Sequence, residues 1–419
     1  MTTIGTLAPL RHAPFRWLMA GRTISMLGNA VAPIALGFAV LDLTGSLRDL
    51  GLVVGAKSAA SVVFLLAGGV IADRLPRRLV LAAASALAAV TQGLAAAAVF
   101  TGTATIPLLT VLALANGTVA AFTLPASSAL LPQTVPPEIR RQANAINRLG
   151  FNGAMISGAA AGGALVAVAG PGWGLAVDAT TFALAAGCFA LLRVSDVRHP
   201  AGARRRVLVD LREGWTEFAG HTWIWVVVLG FMVLNAVFAG AILVLGPAVA
   251  DETFGRAGWG LVLAAQTAGA VLGAVIALRL RVRRLLLVGV ASVASELLLV
   301  LGLALTPRVA VLLAAALLTG IGIELFAITW ETTVQEHVPA DKLARVYSYD
   351  ALGSLLAVPV GQLAAGPAAL AIGTEAALLA GAGLIGLAVV GMLASPDVRR
   401  LEHHPAPPAT SPDQKTHAR

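Results

Sequence analysis

The sequence predicts an all-α membrane protein in which twelve transmembrane helices form two pseudo-symmetric six-helix bundles. Three observations predict this fold: long apolar segments recur along the chain, basic residues gather on every second connection, and the two halves share an internal repeat. Hydrophobic residues make up 58% of the 419 residues and charged residues only 12%, and the mean hydropathy is +0.85. These values lie far from those of a soluble globular domain.

The apolar segments have the length that a helix needs to cross the hydrocarbon core of a bilayer, about 20 residues. We place the spans near residues 15–41, 50–72, 79–101, 105–130, 143–169, 172–193, 223–249, 258–279, 285–306, 309–333, 345–370 and 375–394. Twelve such helices leave room for short loops, one longer connection and a tail, but not for a separate soluble domain.

The longest connection divides the spans six and six. We therefore assign residues 1–193 to an N-terminal six-helix bundle, 194–222 to a cytoplasmic linker, 223–394 to a C-terminal six-helix bundle and 395–419 to a disordered cytoplasmic tail. Residues 207–218 place apolar side chains on one helical face, which is typical of an amphipathic helix at the membrane interface. An ordinary solvated linker helix fits the same pattern.

Lysine and arginine follow the positive-inside rule. Basic clusters follow the even-numbered spans, for example Arg77 and Arg78 after span two, whereas the other connections carry only Arg48, Arg256 and Arg308. We therefore expect a multi-pass protein of the cytoplasmic membrane with both termini in the cytoplasm. The net charge of +8 then faces anionic lipid headgroups rather than nucleic acid.

Several other classes of chemistry are disfavoured. The one cysteine, Cys188, lies within a span, so disulfides play no part. All seven histidines map to connections or ends, which argues against a histidine proton relay or a metal site in the membrane. The polar start of the chain and the absence of a cleavage site argue against a cleavable signal peptide. We expect no cofactor. We also expect no nucleotide, because the P-loop-like spacing at 51–58 lies in a membrane helix, where the backbone amides are already hydrogen-bonded within the helix and cannot bind phosphate.

An internal repeat relates the two halves at one constant offset. The matched pairs include Val135 and Val338, Pro136 and Pro339, Leu149 and Leu352, and Gly150 and Gly353. Equivalent loops in two six-span halves indicate parallel repeats about an axis along the membrane normal. This is the architecture of the major facilitator type of secondary transporter.

The connection between spans two and three resembles the signature loop of the major facilitator superfamily, with Pro76 in place of the usual glycine. The matching residues are Gly69, Asp73, Arg74, Arg77 and Arg78. A carboxylate suits a helix N-terminus, and the resemblance implies that Asp73 latches span eleven near Arg345 when the cytoplasmic side is closed. The alternative is a loop with only a topological role.

Span five contains Gly158, Gly162 and Gly163, which resemble an exporter-associated glycine motif in which Ala159 replaces the proline. Generic close packing of small residues explains them equally well. The arginine that drug exporters carry in span four is absent, and Asn116 is one of the polar residues there. This absence departs from the simplest proton-coupling scheme of drug antiporters.

Three further stretches resemble the branch of this superfamily that contains bacterial macrolide-efflux permeases and the enterobactin exporter. They are residues 135–147, 170–178 and 211–215. The resemblance covers essentially the whole chain and indicates the fold and the class of transport rather than the substrate.

Ionisable residues inside spans are costly and therefore functional candidates. In the superfamily, spans one, four, seven and ten line the central cavity, which places Arg22 and Glu324 there. We expect Glu324 to carry the proton and Arg22 to oppose its charge, although a permanently paired structural glutamate remains the alternative. For Asp178 and Glu296 a buried structural hydrogen bond is the favoured interpretation, with Asp178 the next coupling candidate. Lys57 either reaches the cavity or extends outward.

Span seven carries Phe231, Asn235 and Phe238 on one helical face. This face suits an aromatic wall for an apolar substrate, and lipid-facing phenylalanines are the competing interpretation.

Taken together, these features predict a secondary active transporter that exports small amphipathic compounds of the drug, macrolide or siderophore kind by proton antiport and alternating access. Its partners are then a small-molecule substrate, protons and the lipid bilayer, and we expect a monomer. An importer or uncoupled facilitator of the same fold is the alternative. A polytopic membrane enzyme is disfavoured, because it requires clustered Asp or His at a membrane face.

Overall fold

The computed structural model describes residues 7–74, 76–193, 219–280, 282–339 and 342–402, without the side chains of 65–74 and of a few residues in 124–129 and 344–352. The N-terminal half contains α1 (Ala13–Thr44), α2 (Leu47–Arg74), α3 (Arg77–Phe100), α4 (Ile106–Leu130), α5 (Arg140–Ala169) and α6 (Pro171–Ala190). The C-terminal half contains α7 (Thr222–Glu252), α8 (Arg256–Ala277), α9 (Leu285–Leu305), α10 (Val309–His337), α11 (Leu343–Ile372) and α12 (Thr374–Ala394).

Eleven helices in the described part of the chain are long and apolar enough to cross a membrane. The other long helix, α2, has 28 residues. The predicted all-α fold of twelve transmembrane helices is therefore confirmed, and the helices begin and end within a few residues of the predicted spans. The predicted linker falls largely on 194–218, outside the described residues, so the amphipathic helix and the division at 194–222 remain predictions.

The chain alternates between two faces of the molecule. We call the face where α1 begins and α12 ends the terminal face, and the opposite face the distal face. Gly170 joins α5 to α6 and Gly373 joins α11 to α12, each with φ +89°, a left-handed conformation that glycine adopts at little cost. The two glycines are separated by the same offset as the sequence repeat, which extends the repeat to the turns of the two halves.

Within the described ranges, α7 and α9 contain segments that depart from regular α-helical geometry. Helix α7 contains a five-residue π-helical segment, Ala241–Leu245, before Pro247, and α9 contains a short 3₁₀ segment, Val293–Ser295. Such π segments occur often at functional positions of helices. The one in α7 packs against α2 of the other half, so it lies where the two halves meet.

The segment after α12 begins with a short helix, Pro396–Arg400. It forms because Pro396 occupies the first helical turn, where a missing N–H is tolerated, and because Val398 is buried. Residues 395–402 therefore continue the fold into the segment predicted to be a disordered tail. Residues 403–419 lie outside the described part.

Candidate functional site: the space between the two bundles

The most extensive contacts between the two halves are made by two helix pairs related by the repeat, α5 with α8 and α2 with α11. At the first crossing a Cβ on Gly163 would lie 2.7 Å from the Cα of Gly260. At the second, Gly366, which matches Gly163 at the repeat offset, faces the backbone of Leu47 and Arg48. Both crossings lie towards the distal face, because Gly163 and Gly366 are near the distal ends of their helices.

The other glycines of the span-five motif pack α5 on α1 within the N-terminal half. A Cβ on Gly158 would lie 2.6 Å from the carbonyl oxygen of Leu27, and one on Gly162 would lie 2.9 Å from Val31 Cγ2. Gly361 of α11, the repeat equivalent of Gly158, faces the carbonyl of Ala236 in the same way. The motif therefore has a packing role in this structure, and its equivalent in the other half serves the same role.

An ion cluster closes the distal face between α1 and α8. Arg256 Nη1 donates to Asp42 Oδ2 at 2.9 Å, and Nη2 donates to the other oxygen of the same carboxylate. Arg256 Nε donates to Asp251 Oδ1 at 2.8 Å, and the guanidinium carbon lies 4.7 Å from the ring centre of Phe38. Asp42 and Phe38 belong to the N-terminal half and Arg256 to the C-terminal half, so these contacts join the two bundles.

A cavity of about 560 Å³ lies between the bundles on the terminal side of the α5–α8 crossing. It is lined by α1, α5, α8 and α10, and its polar lining residues are Arg22, Asn147, Arg148, Asn152, Gln266, Thr267 and Glu324. The closed distal contacts and this cavity together describe a transporter-like arrangement that is open towards the terminal face.

Glu324 lies in this cavity, as the sequence predicts, and it pairs with an arginine of the opposite bundle. Arg148 Nη2 of α5 donates to Glu324 Oε1 of α10 at 2.6 Å, with the arginine side chain 67% and the glutamate side chain 16% exposed. The opposing charge was predicted to be Arg22, and Arg148 was not among the predicted site residues. In this conformation, Arg148 is the partner.

Arg22 lines the same cavity and also a second one of about 250 Å³ inside the N-terminal half. Its Nη1 donates to the carbonyl oxygen of Ser127 on α4 at 3.4 Å. In the part of the chain that the structure describes, no ion pair joins Arg22 to a carboxylate. The position of Arg22 on α1 therefore connects the inter-bundle cavity with the interior of the N-terminal half.

Asp178 is fully buried behind α1. Its Oδ2 accepts a hydrogen bond from Gln92 Nε2 at 2.6 Å, and its other oxygen faces Gly28. The hydrogen bond to Oδ2 agrees with the structural interpretation of this carboxylate, whereas Oδ1 has no hydrogen-bond partner among the described residues. Glu296 of α9 is also buried, but its Oε2 has no hydrogen-bond partner in the part of the chain that the structure describes, which does not supply the hydrogen bond expected for that oxygen.

Lys57 and Asn116 occupy different places in the N-terminal half. Lys57 is half-buried and lines a crevice of about 250 Å³ between α1, α2, α7 and α11, together with Ser58 and Ser61. It thus faces the space between the bundles. Asn116 is buried in the wall of the N-terminal cavity, where its Nδ2 donates to Thr91 Oγ1 at 3.4 Å.

The predicted aromatic face of α7 packs inside the C-terminal half. Phe231 stacks on Phe326 with ring centres 3.8 Å apart, and Phe326 stacks on Trp330 at 5.9 Å. Asn235 and Phe238 are half-buried, with Phe238 against the same apolar core. The inter-bundle cavity is lined by α1, α5, α8 and α10 rather than by this face.

The signature loop is described only in part. The side chains of Asp73 and Arg74 and the surroundings of Gly69 lie outside what the structure describes, so the latch to α11 remains a prediction. Arg78 Nη1 donates to the carbonyl oxygen of Leu192 at 3.5 Å, which fixes the start of α3 to the end of α6 at the terminal face.

Comparison with known proteins supports the same class. The transmembrane secretion effector family matches residues 4–416. The enterobactin exporter EntS of Shigella dysenteriae serotype 1 (strain Sd197) is 29% identical over 269 residues, which cover 63% of this chain. The aligned part spans 62% of that exporter, less than two thirds of its length.

Solved structures share the fold at low sequence identity. The nucleoside transporter NupG has a TM-score of 0.73 at 14% identity, covering 91% of this chain and 98% of that one. A bacterial homologue of the lysosomal transporter Spinster, inward-facing and occupied, has a TM-score of 0.73 at 15% identity, with 94% and 98% covered. An inward-facing bacterial homologue of ferroportin has a TM-score of 0.70 at 17% identity, with 92% and 98% covered. With the family match over nearly the whole chain, this protein belongs to the transmembrane secretion effector family of major facilitator membrane transporters.

Proposed function

We propose that this transporter exports small amphipathic compounds across the cytoplasmic membrane by proton antiport. The distribution of lysine and arginine supports a cytoplasmic terminal face and an external distal face. In that orientation the structure is the inward-facing state, with the cavity accessible from the cytoplasm. Export then requires the distal contacts to open and the terminal side to close around the same cavity.

The observation that carries the proposal is the ion pair between Arg148 and Glu324, which joins the two bundles inside the cavity. The pair requires a charged glutamate, so a proton on Glu324 removes it. Because the partners belong to different bundles, the protonation state of one carboxylate is linked to the arrangement of the bundles. This linkage is what a proton-driven alternating carrier needs.

The magnitude of this linkage is modest. Arg148 is 67% exposed, and an exposed ion pair contributes about 0.2–1 kcal/mol. It therefore biases the inward-facing state by roughly fivefold at most. In the proposed cycle a proton enters Glu324 from the external side and leaves to the cytoplasm, where Arg148 stabilises the charged carboxylate.

The direction of transport is supported by the family description and by the exporter among the relatives. The fold does not decide the direction, because it is shared with transporters of several kinds. An importer or uncoupled facilitator of this fold is therefore a separate outcome of the experiment.

Everted membrane vesicles, acidified inside by respiration, test the proposal with a labelled panel of cationic, neutral and anionic amphipathic compounds. We expect uphill uptake by the wild type and its loss when the pH gradient is collapsed. Glu324→Gln is expected to abolish uphill uptake while retaining substrate exchange. Glu331→Gln is the matched control, since Glu331 is an exposed carboxylate of the same helix and should leave uptake unchanged.

Uphill uptake by the Glu324→Gln variant would remove Glu324 as the coupling site and leave Asp178 as the next candidate. Gradient-driven uptake in right-side-out vesicles alone would reverse the proposed direction. Movement that never exceeds equilibration would assign an uncoupled facilitator.

A further inference from the structure

We infer that Arg22 binds an anionic group of the transported molecule, so that the substrates are amphipathic organic anions with an apolar, ring-sized part. The inference rests on the proposed transport function and assigns the chemical class of its substrate.

The first argument is the position of Arg22 and its one weak partner. Its guanidinium has five N–H donors, and the described part of the chain supplies one acceptor, the carbonyl oxygen of Ser127 at 3.4 Å. A cation at this depth in a membrane protein is costly unless a charge or a ligand compensates it. Most of its donors thus remain available to the two cavities that it lines.

The second argument is the charge of the inter-bundle cavity. Its ionisable lining residues are Arg22, Arg148 and Glu324. Glu324 is engaged by Arg148 at 2.6 Å, which leaves one uncompensated positive charge at Arg22. A cationic ligand is repelled from such a site and an anionic one attracted.

The third argument is that the walls beside Arg22 differ in polarity. The cavity inside the N-terminal half has an apolar part, lined by Leu81, Val119, Phe151 and Phe182, which suits an aromatic or other apolar body, beside the polar groups of Asn29, Ser85, Asn116 and Thr123. The cavity between the bundles presents the amide and hydroxyl groups of Asn147, Asn152, Gln266 and Thr267. Arg22 and Phe151 line both cavities, so a ligand can place its ring in the first, its anionic group at Arg22 and its polar remainder in the second.

The volumes agree with a small organic ligand. The cavity between the bundles measures about 560 Å³, within the range of about 300–1,000 Å³ that ligand sites in proteins span, and the N-terminal cavity adds about 250 Å³ beside it. The competing explanation is that Arg22 only ties α1 to α4 through the Ser127 carbonyl. That structural role predicts no selectivity for the charge of a ligand.

The test uses two probes of the same ring and similar shape, naphthalene-1-sulfonate and the neutral naphthalene-1-sulfonamide. Equilibrium binding is measured on the purified full-length protein in lipid nanodiscs. Because hydrogen bonds to charged groups are the stronger ones, we expect the wild type to prefer the sulfonate by roughly tenfold to a hundredfold.

Three variants assign this preference to its residue. Arg22→Gln is expected to lose the preference, and Arg22→Lys to retain part of it because the charge remains. Arg193→Gln removes an exposed arginine outside the cavity and should bind both probes as the wild type does. Thermal unfolding of each variant shows whether it is folded, and the comparison of the two probes on the wild type needs no variant.

Equal affinity of the wild type for the two probes, no saturable binding of the sulfonate, or a preference that survives in a folded Arg22→Gln variant would each overturn the inference. The assay uses no gradient, so its outcome is separate from that of the vesicle experiment. Anion selectivity without uphill export would remove the export proposal and keep the site. Uphill export without anion selectivity would keep the export proposal and remove the anion site at Arg22.

Discussion

Replacing Asp42 by asparagine is expected to loosen the closure of the distal face, because it removes an ion pair that joins the two bundles. The Asp42 and Arg256 side chains are 42% and 21% exposed, and two hydrogen bonds connect them. Exposed ion pairs contribute about 0.2–1 kcal/mol, and a bidentate arginine lies at the upper end of that range. A loss of about 1 kcal/mol raises the ratio of distally open to distally closed molecules roughly fivefold.

Asp251→Asn is the matched control for this change. Asp251 also accepts a hydrogen bond from Arg256, but both residues belong to the C-terminal half, so that contact does not hold the bundles together. We expect a clearly smaller shift than for Asp42→Asn. The contact between Arg256 and the buried ring of Phe38 remains in both variants.

The populations are measured by pulsed electron–electron spin resonance between spin labels on opposite bundles at the distal face. Thr103→Cys and Glu375→Cys in a Cys188→Ser background supply exposed labelling positions away from the ion cluster. The wild type should give mainly the short distance of the closed face, and Asp42→Asn should increase the long-distance population. An unchanged distribution in Asp42→Asn, or an equal or larger shift in Asp251→Asn, would refute the assignment of the cluster as a distal gate.

Three further predictions concern the bundle contacts, the signature loop and the orientation. Gly163→Val should disfavour the inward-facing state and impair transport, because its Cβ would lie 2.7 Å from Gly260 Cα. Gly153→Val is the control and should transport normally, since no atom lies within 4 Å of its Cβ. Equal transport by the two variants would contradict the close contact of α5 with α8 at Gly163. Asp73→Asn should slow transport at unchanged membrane abundance, since a carboxylate at a helix N-terminus stabilises the contact by about 0.3–2 kcal/mol. Transport at the wild-type rate would mean that the signature loop has only a topological role. Thr103→Cys in the Cys188→Ser background should react with an impermeant thiol reagent added outside intact cells. A cysteine that does not react would show that the distal face is cytoplasmic, the opposite of the proposed orientation.

The fold could be predicted because its signals are local or repeat along the chain. The length of each apolar segment sets a span, and alternating charge sets the side of each connection. The offset that matches Gly150 to Gly353 also matches the turns at Gly170 and Gly373 and the crossings at Gly163 and Gly366. Periodicity of this kind needs no knowledge of distant contacts.

The site could be predicted only in part, because its pairs join residues far apart in sequence. Arg148 and Glu324 are separated by 176 positions, and Asp42 and Arg256 by 214. The resemblance to the superfamily placed Glu324 and Arg22 at the cavity, but it could not choose between Arg22 and Arg148 as the partner of Glu324. The signal that was available for Arg148 is its place inside the predicted fifth span, where a charge is costly.

The aromatic face of α7 gives the same lesson. The spacing of Phe231 and Phe238 correctly predicts a shared face, but a face does not identify what it packs against. In the structure the partner of Phe231 is Phe326, a residue of α10 that sequence analysis did not single out. Stacked rings at 3.8 Å form an internal contact of the C-terminal half.

The most direct test of the proposed mechanism is the movement of protons caused by substrate. In everted vesicles with an acidic interior and a pH-sensitive dye inside, adding a transported compound to the wild type should raise the internal pH as protons leave in exchange. Glu324→Gln should show no such change while still exchanging labelled substrate, and Glu331→Gln should behave as the wild type does. Substrate-driven proton release of wild-type size in the Glu324→Gln variant would contradict the account.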